Sequence, residues 1–307
     1  LDRKKYIEGL IFGSLAYGLW GMLPLYWKLV SAISPYQIFA QRVVWSFLFI
    51  TVLLIFKRNY RAFIRVVTNF DQLKKILPPT LFISVNWMLY IWAVNNNFVL
   101  ETSLGYYITP LILTILGRLF YKERLNNYQK IGIGLATLGV IFKTILYGKL
   151  PLISLVLALS FAMYGFYKKK SGLDSLTGLG FETFIIGIPS LMYLLFVETS
   201  GQGITGNLPF VYWIMIAFSG LITATPLLLY AESTKRLPLN VVGFLQYLSP
   251  TIALLLAIFV FKETFDLRSF FSFALIWIGL GFFSYSQYDL LKQSKLEMIG
   301  ERDGHGK

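Results

Sequence analysis

Ten apolar stretches follow one another through the 307 residues, with only short charged or turn-rich junctions between them. Each is about as long as the roughly 20 residues a helix needs to cross bilayer hydrocarbon. They lie near residues 7–30, 36–56, 76–97, 101–121, 128–147, 151–169, 176–197, 209–231, 240–261 and 270–289. Such a pattern leaves little choice of fold. Backbone N–H and C=O groups in lipid must find partners within their own segment, so each stretch reads as a transmembrane helix. The sequence therefore predicts an all-α membrane protein forming a single domain over 1–307, with a polar cytoplasmic tail at 290–307. The first stretch has no small-residue cleavage site and is too long for a signal-peptide core, so it is expected to be retained. The longest connection, Lys57 to Lys75, predicts an amphipathic surface helix or a basic loop.

Charge is scarce and concentrated. Only 14% of residues are charged, against roughly a quarter in soluble domains. The net charge of +13 resides in the junctions and forms no patch that would serve nucleic acid. Most of the 28 Lys and Arg residues fall at alternate junctions: Arg3 to Lys5, Lys57 to Lys75, Lys122 to Lys130, Lys168 to Lys170, Lys235 with Arg236, and the C-terminal tail. Cytoplasmic loops carry such an excess, which predicts a multi-pass protein of the bacterial inner membrane, surrounded by lipid, with both termini cytoplasmic. Cysteine is absent, which excludes disulfides and thiolate chemistry.

A shift of 140 residues superposes Pro110 on Pro250, Lys122 and Glu123 on Lys262 and Glu263, Gly139 on Gly279, and Leu89 with Tyr90 on Leu229 with Tyr230. A shift of 144 lays Tyr17, Trp20 and Gly21 on Phe161, Tyr164 and Gly165. The chain thus reads as two five-helix repeats, 7–147 and 151–289. An odd number of spans per copy inverts the second relative to the first, an architecture common among secondary transporters.

The segments AYGLWG (16–21), QRVVWSF (41–47), NWMLYIWAVNN (86–96), ETSLGYYITP (101–110) and GFLQYLSPT (243–251) resemble the RarD branch of the EamA group of drug/metabolite transporters. The resemblance runs essentially from end to end. It implies a ten-helix inverted repeat in which spans 1–4 and 6–9 line a central cavity and spans 5 and 10 stand outside it.

Enzymatic readings fail on inventory. The sole histidine, His305, lies in the polar tail, and the aspartates all fall at span ends or in loops. Nucleotide-binding loops, dinucleotide fingerprints and metal-ligand spacings are missing, so neither catalysis nor a cofactor is expected. What remains is alternating-access transport of a small organic metabolite, such as an amino acid or a drug-like solute. The alternative is a membrane-embedded enzyme or binding protein acting on a lipid-soluble ligand.

Polar and aromatic groups inside spans mark the expected substrate contacts, because each needs a partner or a water-filled space. Asn86, Trp87 and Tyr90 belong to a cluster that continues through Trp92, Asn95, Asn96 and Glu101 to Tyr106 and Tyr107. Its members at the span end also suit an aromatic belt. Gln246 and Tyr247 precede Pro250 as Tyr106 and Tyr107 precede Pro110, and proline frees a carbonyl inside a helix. Trp20 and Tyr164 are expected as matched gate aromatics. Arg42 and Glu182 superpose at the 140-residue shift with opposite sign. Counting from their span ends places Arg42 in the outer half and Glu182 in the inner half, too far apart to pair. Arg42 would attract an anionic group and Glu182 is the candidate for proton coupling; snorkelling to the near interface is the plain alternative. Single cysteines at Asn97, Lys149 or Gly203 should label from outside intact cells while cysteines at Lys74 or Lys169 stay protected, and the opposite pattern would invert the topology.

Overall fold

The computed structural model describes residues 3–95, 98–148, 152–260 and 267–304. Among them lie twelve helices: α1 (Arg3–Leu29), α2 (Pro35–Phe56), α3 (Tyr60–Thr68), α4 (Phe70–Asn95), α5 (Val99–Tyr121), α6 (Asn127–Tyr147), α7 (Leu152–Ser171), α8 (Ser175–Thr199), α9 (Val211–Arg236), α10 (Leu239–Gln246), α11 (Leu248–Phe259) and α12 (Leu267–Gly304). Seven helices among these residues are long and apolar enough to cross a membrane by length and composition alone. Their faces are sorted as lipid demands. On α1, Ile11, Leu15, Leu19 and Met22 point outward, while Tyr6, Gly9, Gly13, Ala16, Tyr17 and Gly21 are buried. Large apolar side chains outside and small or aromatic ones inside suit helices that must pack on one another without a hydrophobic driving force.

Junction residues set the helix limits. Pro35 occupies the first turn of α2, where its missing N–H costs nothing. Asn126 and Gln129 form a reciprocal capping box on α6, and the Asp174 carboxylate accepts from Thr177 N at the start of α8. The Lys57 to Lys75 connection becomes α3, strongly amphipathic where the long helices are not. The expected span at 240–261 is broken into α10 and α11 at Tyr247. Pro250 contributes to the break, since it has no N–H to donate to Gln246, four residues earlier. The α10 start is held from the other repeat, since the Glu123 carboxylate accepts from the backbone N–H groups of Leu239 (2.7 Å) and Asn240 (3.1 Å). Its partner at the 140-residue shift, Glu263, lies outside the described residues, as does His305.

The packing obeys a pseudo-two-fold that exchanges α1 with α7, α2 with α8, α4 with α9, α5 with α10 and α11, and α6 with α12. The α1–α9 contact maps onto α7–α4, and α5–α7 maps onto the contact of α10 and α11 with α1; α2–α8, α6–α12 and α5–α10 map onto themselves. Single residues keep the same register. A Cβ at Gly279 would stand 2.6 Å from the Gly132 carbonyl oxygen, and one at Gly139 would stand 2.8 Å from that of Ser272. At the 140-residue shift these two approaches are one contact, counted from either copy.

The symmetry fails most where α2 meets α9. α2 presses on α9, with Ser46 Oγ donating to Gly220 O (3.2 Å), whereas α4 and α8 touch far less and α3 lies against both. A Cβ at Gly220 would come within 2.4 Å of the Trp45 backbone. Gly220→Val should therefore destabilise the detergent-solubilised protein by about 1–3 kcal/mol through overpacking. Gly18→Ala, with nothing within 4 Å, should be neutral or stabilising by roughly 0.5 kcal/mol. Equal effects in a thermal-unfolding series would refute the close approach.

Candidate functional site

The basic junctions gather at one end of the bundle: Lys169 donates to Leu237 O, Asn59 to Asp174, and Ser233 Oγ to Gly9 O. Between this basic end and the far end lie two aromatic clusters, each built around one of the superposed charges.

The far cluster surrounds Arg42 on α2. Its guanidinium carbon lies 5.2 Å from the ring centres of both Phe39 and Trp87 and 5.9 Å from that of Trp27. Tyr90 and Tyr106 stand close enough to act on it electrostatically, with their own rings 6.1 Å apart. Arg42 and these five aromatic residues are half-buried. Arg42 Nε is buried without a hydrogen-bond partner, and among the described residues no carboxylate pairs with the guanidinium. Each cation–π contact contributes about 0.5–2 kcal/mol. Burying an ion costs several kcal/mol, so the rings offset the penalty without satisfying the donors.

The second cluster lies toward the basic end and is closed. Lys168 Nζ meets Glu182 Oε1 at 2.6 Å, with side-chain exposures of 5% and 1%, and Tyr164 donates to Glu182 Oε2 (3.2 Å). The Tyr164 ring stacks on Tyr230 at 5.8 Å, and Trp20, Tyr17 and Phe161 complete the box. The hydroxyls of Tyr17 and Tyr230 are buried without partners. Tyr230 corresponds to Tyr90 at the 140-residue shift, so a tyrosine attends the charge in both copies.

Tyr107 and Tyr247, also 140 residues apart, stack across the pseudo-two-fold at 6.2 Å, and Tyr247 donates to Tyr107 O (3.2 Å). Beside them the Gln246 side-chain oxygen is buried and unpartnered. Asn86 is committed elsewhere: its amide donates to Leu157 O (2.9 Å) and Ser160 Oγ (3.0 Å), tying α4 to α7. Asn96 lies outside the described residues, as do the side chains of Asn95 and Glu101. A cleft of about 340 Å³ opens at the basic end against Glu123, Arg124 and Asn240, away from all of the expected contacts.

Sequence reasoning missed Lys168, which it assigned to a cytoplasmic loop; the residue is a buried part of α7. The signal was present, because Lys168 follows Tyr164 by four residues and so shares its helix face. Phe39, three residues before Arg42, carried the same kind of signal. Trp27 did not, since it reaches Arg42 from another helix.

The family model of EamA-like transporters matches this sequence twice, over residues 7–145 and 149–285. The chain belongs to the EamA-like transporter family. Within it the chain falls in the RarD branch: it is 36% identical to Protein RarD of Streptomyces exfoliatus, over 94% of this chain and 92% of that one. It is 34% identical to Protein RarD of Escherichia coli, over 92% and 96%. An uncharacterized transporter of Bacillus subtilis, YojE, is 42% identical over 96% of this chain and 99% of its own length. A solved crystal structure shares the fold at a TM-score of 0.67 and 15% identity, covering 90% of this chain and 97% of that one.

Removing one member of the buried ion pair strands the other. Lys168→Met and Glu182→Gln should each cost about 3–5 kcal/mol, and the double variant should recover most of that loss. Additive losses in a double-mutant cycle would show that the two side chains do not pair.

Proposed function

We propose that this protein is a secondary transporter that moves a small organic metabolite across the bacterial inner membrane by alternating access, with its basic end and both termini in the cytoplasm. The observation that carries the reading is a pair of polar clusters, each built around one of the two charges that the 140-residue shift superposes, in a bundle whose Tyr107 and Tyr247, superposed by the same shift, stack on each other. One is half-buried and one closed. An inverted repeat that exchanges the conformations of its halves would exchange these two states, opening one cluster as it closes the other. The positive-inside rule supports the orientation, and the relatives named as transporters support the activity.

In this reading the solute meets Arg42, Trp87, Tyr90 and Tyr106 from outside, passes Gln246 and the paired tyrosines, and leaves past Trp20 and Tyr164. Asn86 holds α4 in place. Glu182 is the proton-coupling group, and Lys168 is its resting counter-ion: protonation of the carboxylate dissolves the pair and loosens the side-chain link between α7 and α8.

The test is uptake of a metabolite mixture into proteoliposomes, with and without an imposed pH gradient. Wild-type protein should accumulate at least one solute and respond to the gradient. The Lys168→Met/Glu182→Gln protein should keep its fold and lose the pH response. Saturable binding without accumulation would replace transport by a binding function, a chemically altered solute would make the chain an enzyme, and an unchanged pH response would remove Glu182 from coupling.

A further inference from the structure

We infer that the far cluster is a binding site for an organic monocarboxylate with a flat apolar body, held by the Arg42 guanidinium. This rests on reading the cluster as the substrate site and goes further by naming the chemistry it selects.

A guanidinium has two faces and an edge. Aromatic rings attract the cation through their π-faces, and the ring centres of Phe39, Trp87 and Trp27 lie within 6 Å of the Arg42 guanidinium carbon, with the Phe39 and Trp87 planes 80° apart. The N–H donors lie in the plane and point outward from the edge, and an aromatic ring offers them no oxygen acceptor. The buried, partnerless Nε belongs to that edge. The group that matches such a fork is a carboxylate, which can accept two parallel N–H bonds. Tyr90 and Tyr106 add hydroxyl donors beside the same charge, and neither competes for the guanidinium as an acidic residue would.

The charge balance narrows the class. Among the described side chains of this cluster Arg42 carries the only formal charge, so one negative group neutralises the site. A neutral ligand would leave the cation unpaired, an amine would be repelled, and a doubly charged phosphate would bring more charge than the site can offset. The remaining walls are aromatic faces, which favour a planar apolar body over a hydrated sugar. The contrast with the other copy is informative. There the superposed Glu182 is already neutralised from within by Lys168, and Tyr164 also donates to it. Among the described residues, a counter-charge is built into one cluster and none pairs with Arg42 in the other.

Three probes of nearly equal shape separate the possibilities: phenylacetate, phenylacetamide and phenethylamine. Binding is read from intrinsic tryptophan fluorescence and from the thermal unfolding of purified protein in detergent. Phenylacetate should quench saturably and raise Tm, and the amide and amine should do neither at the same concentrations. Arg42→Gln should weaken phenylacetate binding roughly thirtyfold or more. The same substitution should leave or raise the Tm of the ligand-free protein, because it removes an unpaired buried charge; a packing role for Arg42 predicts a lower Tm. Equal binding of acid and amide, tighter binding of the amine, no binding of any probe, or a Tm of Arg42→Gln well below wild type would each overturn the inference. Proteoliposome flux keeps the two readings apart. Carboxylate binding without flux of any solute leaves the anion site standing and removes the transporter. Flux of neutral solutes that ignores Arg42→Gln does the reverse.

Discussion

Close approach of two antiparallel copies, backbone against backbone, is the constraint on which this structure rests. Helices in lipid gain little from hiding apolar side chains from one another, so contact must come from shape. Gly132 against Gly279 and Gly139 against Ser272 bring α6 and α12 together without intervening side chains. The Gly220 contact does the same for α9 on α2. Because these approaches tolerate no added atom, the halves are held in register, and residues 140 apart in sequence meet across the axis as Tyr107 and Tyr247 do. The polar clusters follow from that register: each combines helices from around one half of the axis and leaves its charge in an aromatic setting.

Stability is not what these clusters maximise. Arg42 keeps an unpartnered donor, and the hydroxyls of Tyr17 and Tyr230 are buried without hydrogen bonds. Each such group costs more than an apolar residue of similar size. Many other hydroxyls bond their own helices, as those of Thr51, Thr80 and Ser190 donate to carbonyls four residues back, while those of Ser219, Thr223 and Ser272 are likewise buried without a partner.

Much of this was legible in the residue order. Apolar length located the spans, the cation pattern separated the basic end from the other, and Pro110 with Pro250 exposed the repeat. Local chemistry near helix ends, such as Asn126 with Gln129, is also readable, because its partners are close in sequence. Three features were not. The break at Tyr247 depends on tertiary packing as well as proline, since α5 carries the equivalent Pro110 and stays continuous. Asn86 looked like a ligand group because its true partners, Leu157 and Ser160, lie on a distant helix. Lys168 looked like a loop cation because three lysines in a row read as a membrane boundary; only the fold shows that the first of them turns inward to Glu182.

The superposition of Arg42 on Glu182 has an electrical consequence. Two separate copies of one five-helix chain, associating face to face, could reproduce every glycine contact described for α6 and α12, but they would place the same residue at both positions. Joining the copies in a single polypeptide allows one position to be cationic and its mate anionic. The bundle thereby acquires a built-in polarity along its depth, with an unpaired, half-buried positive pole toward the far end and a masked negative pole toward the basic end. A symmetric dimer is electrically the same in either direction; this chain is not, and a charged solute crossing it would meet a different landscape on the way in than on the way out.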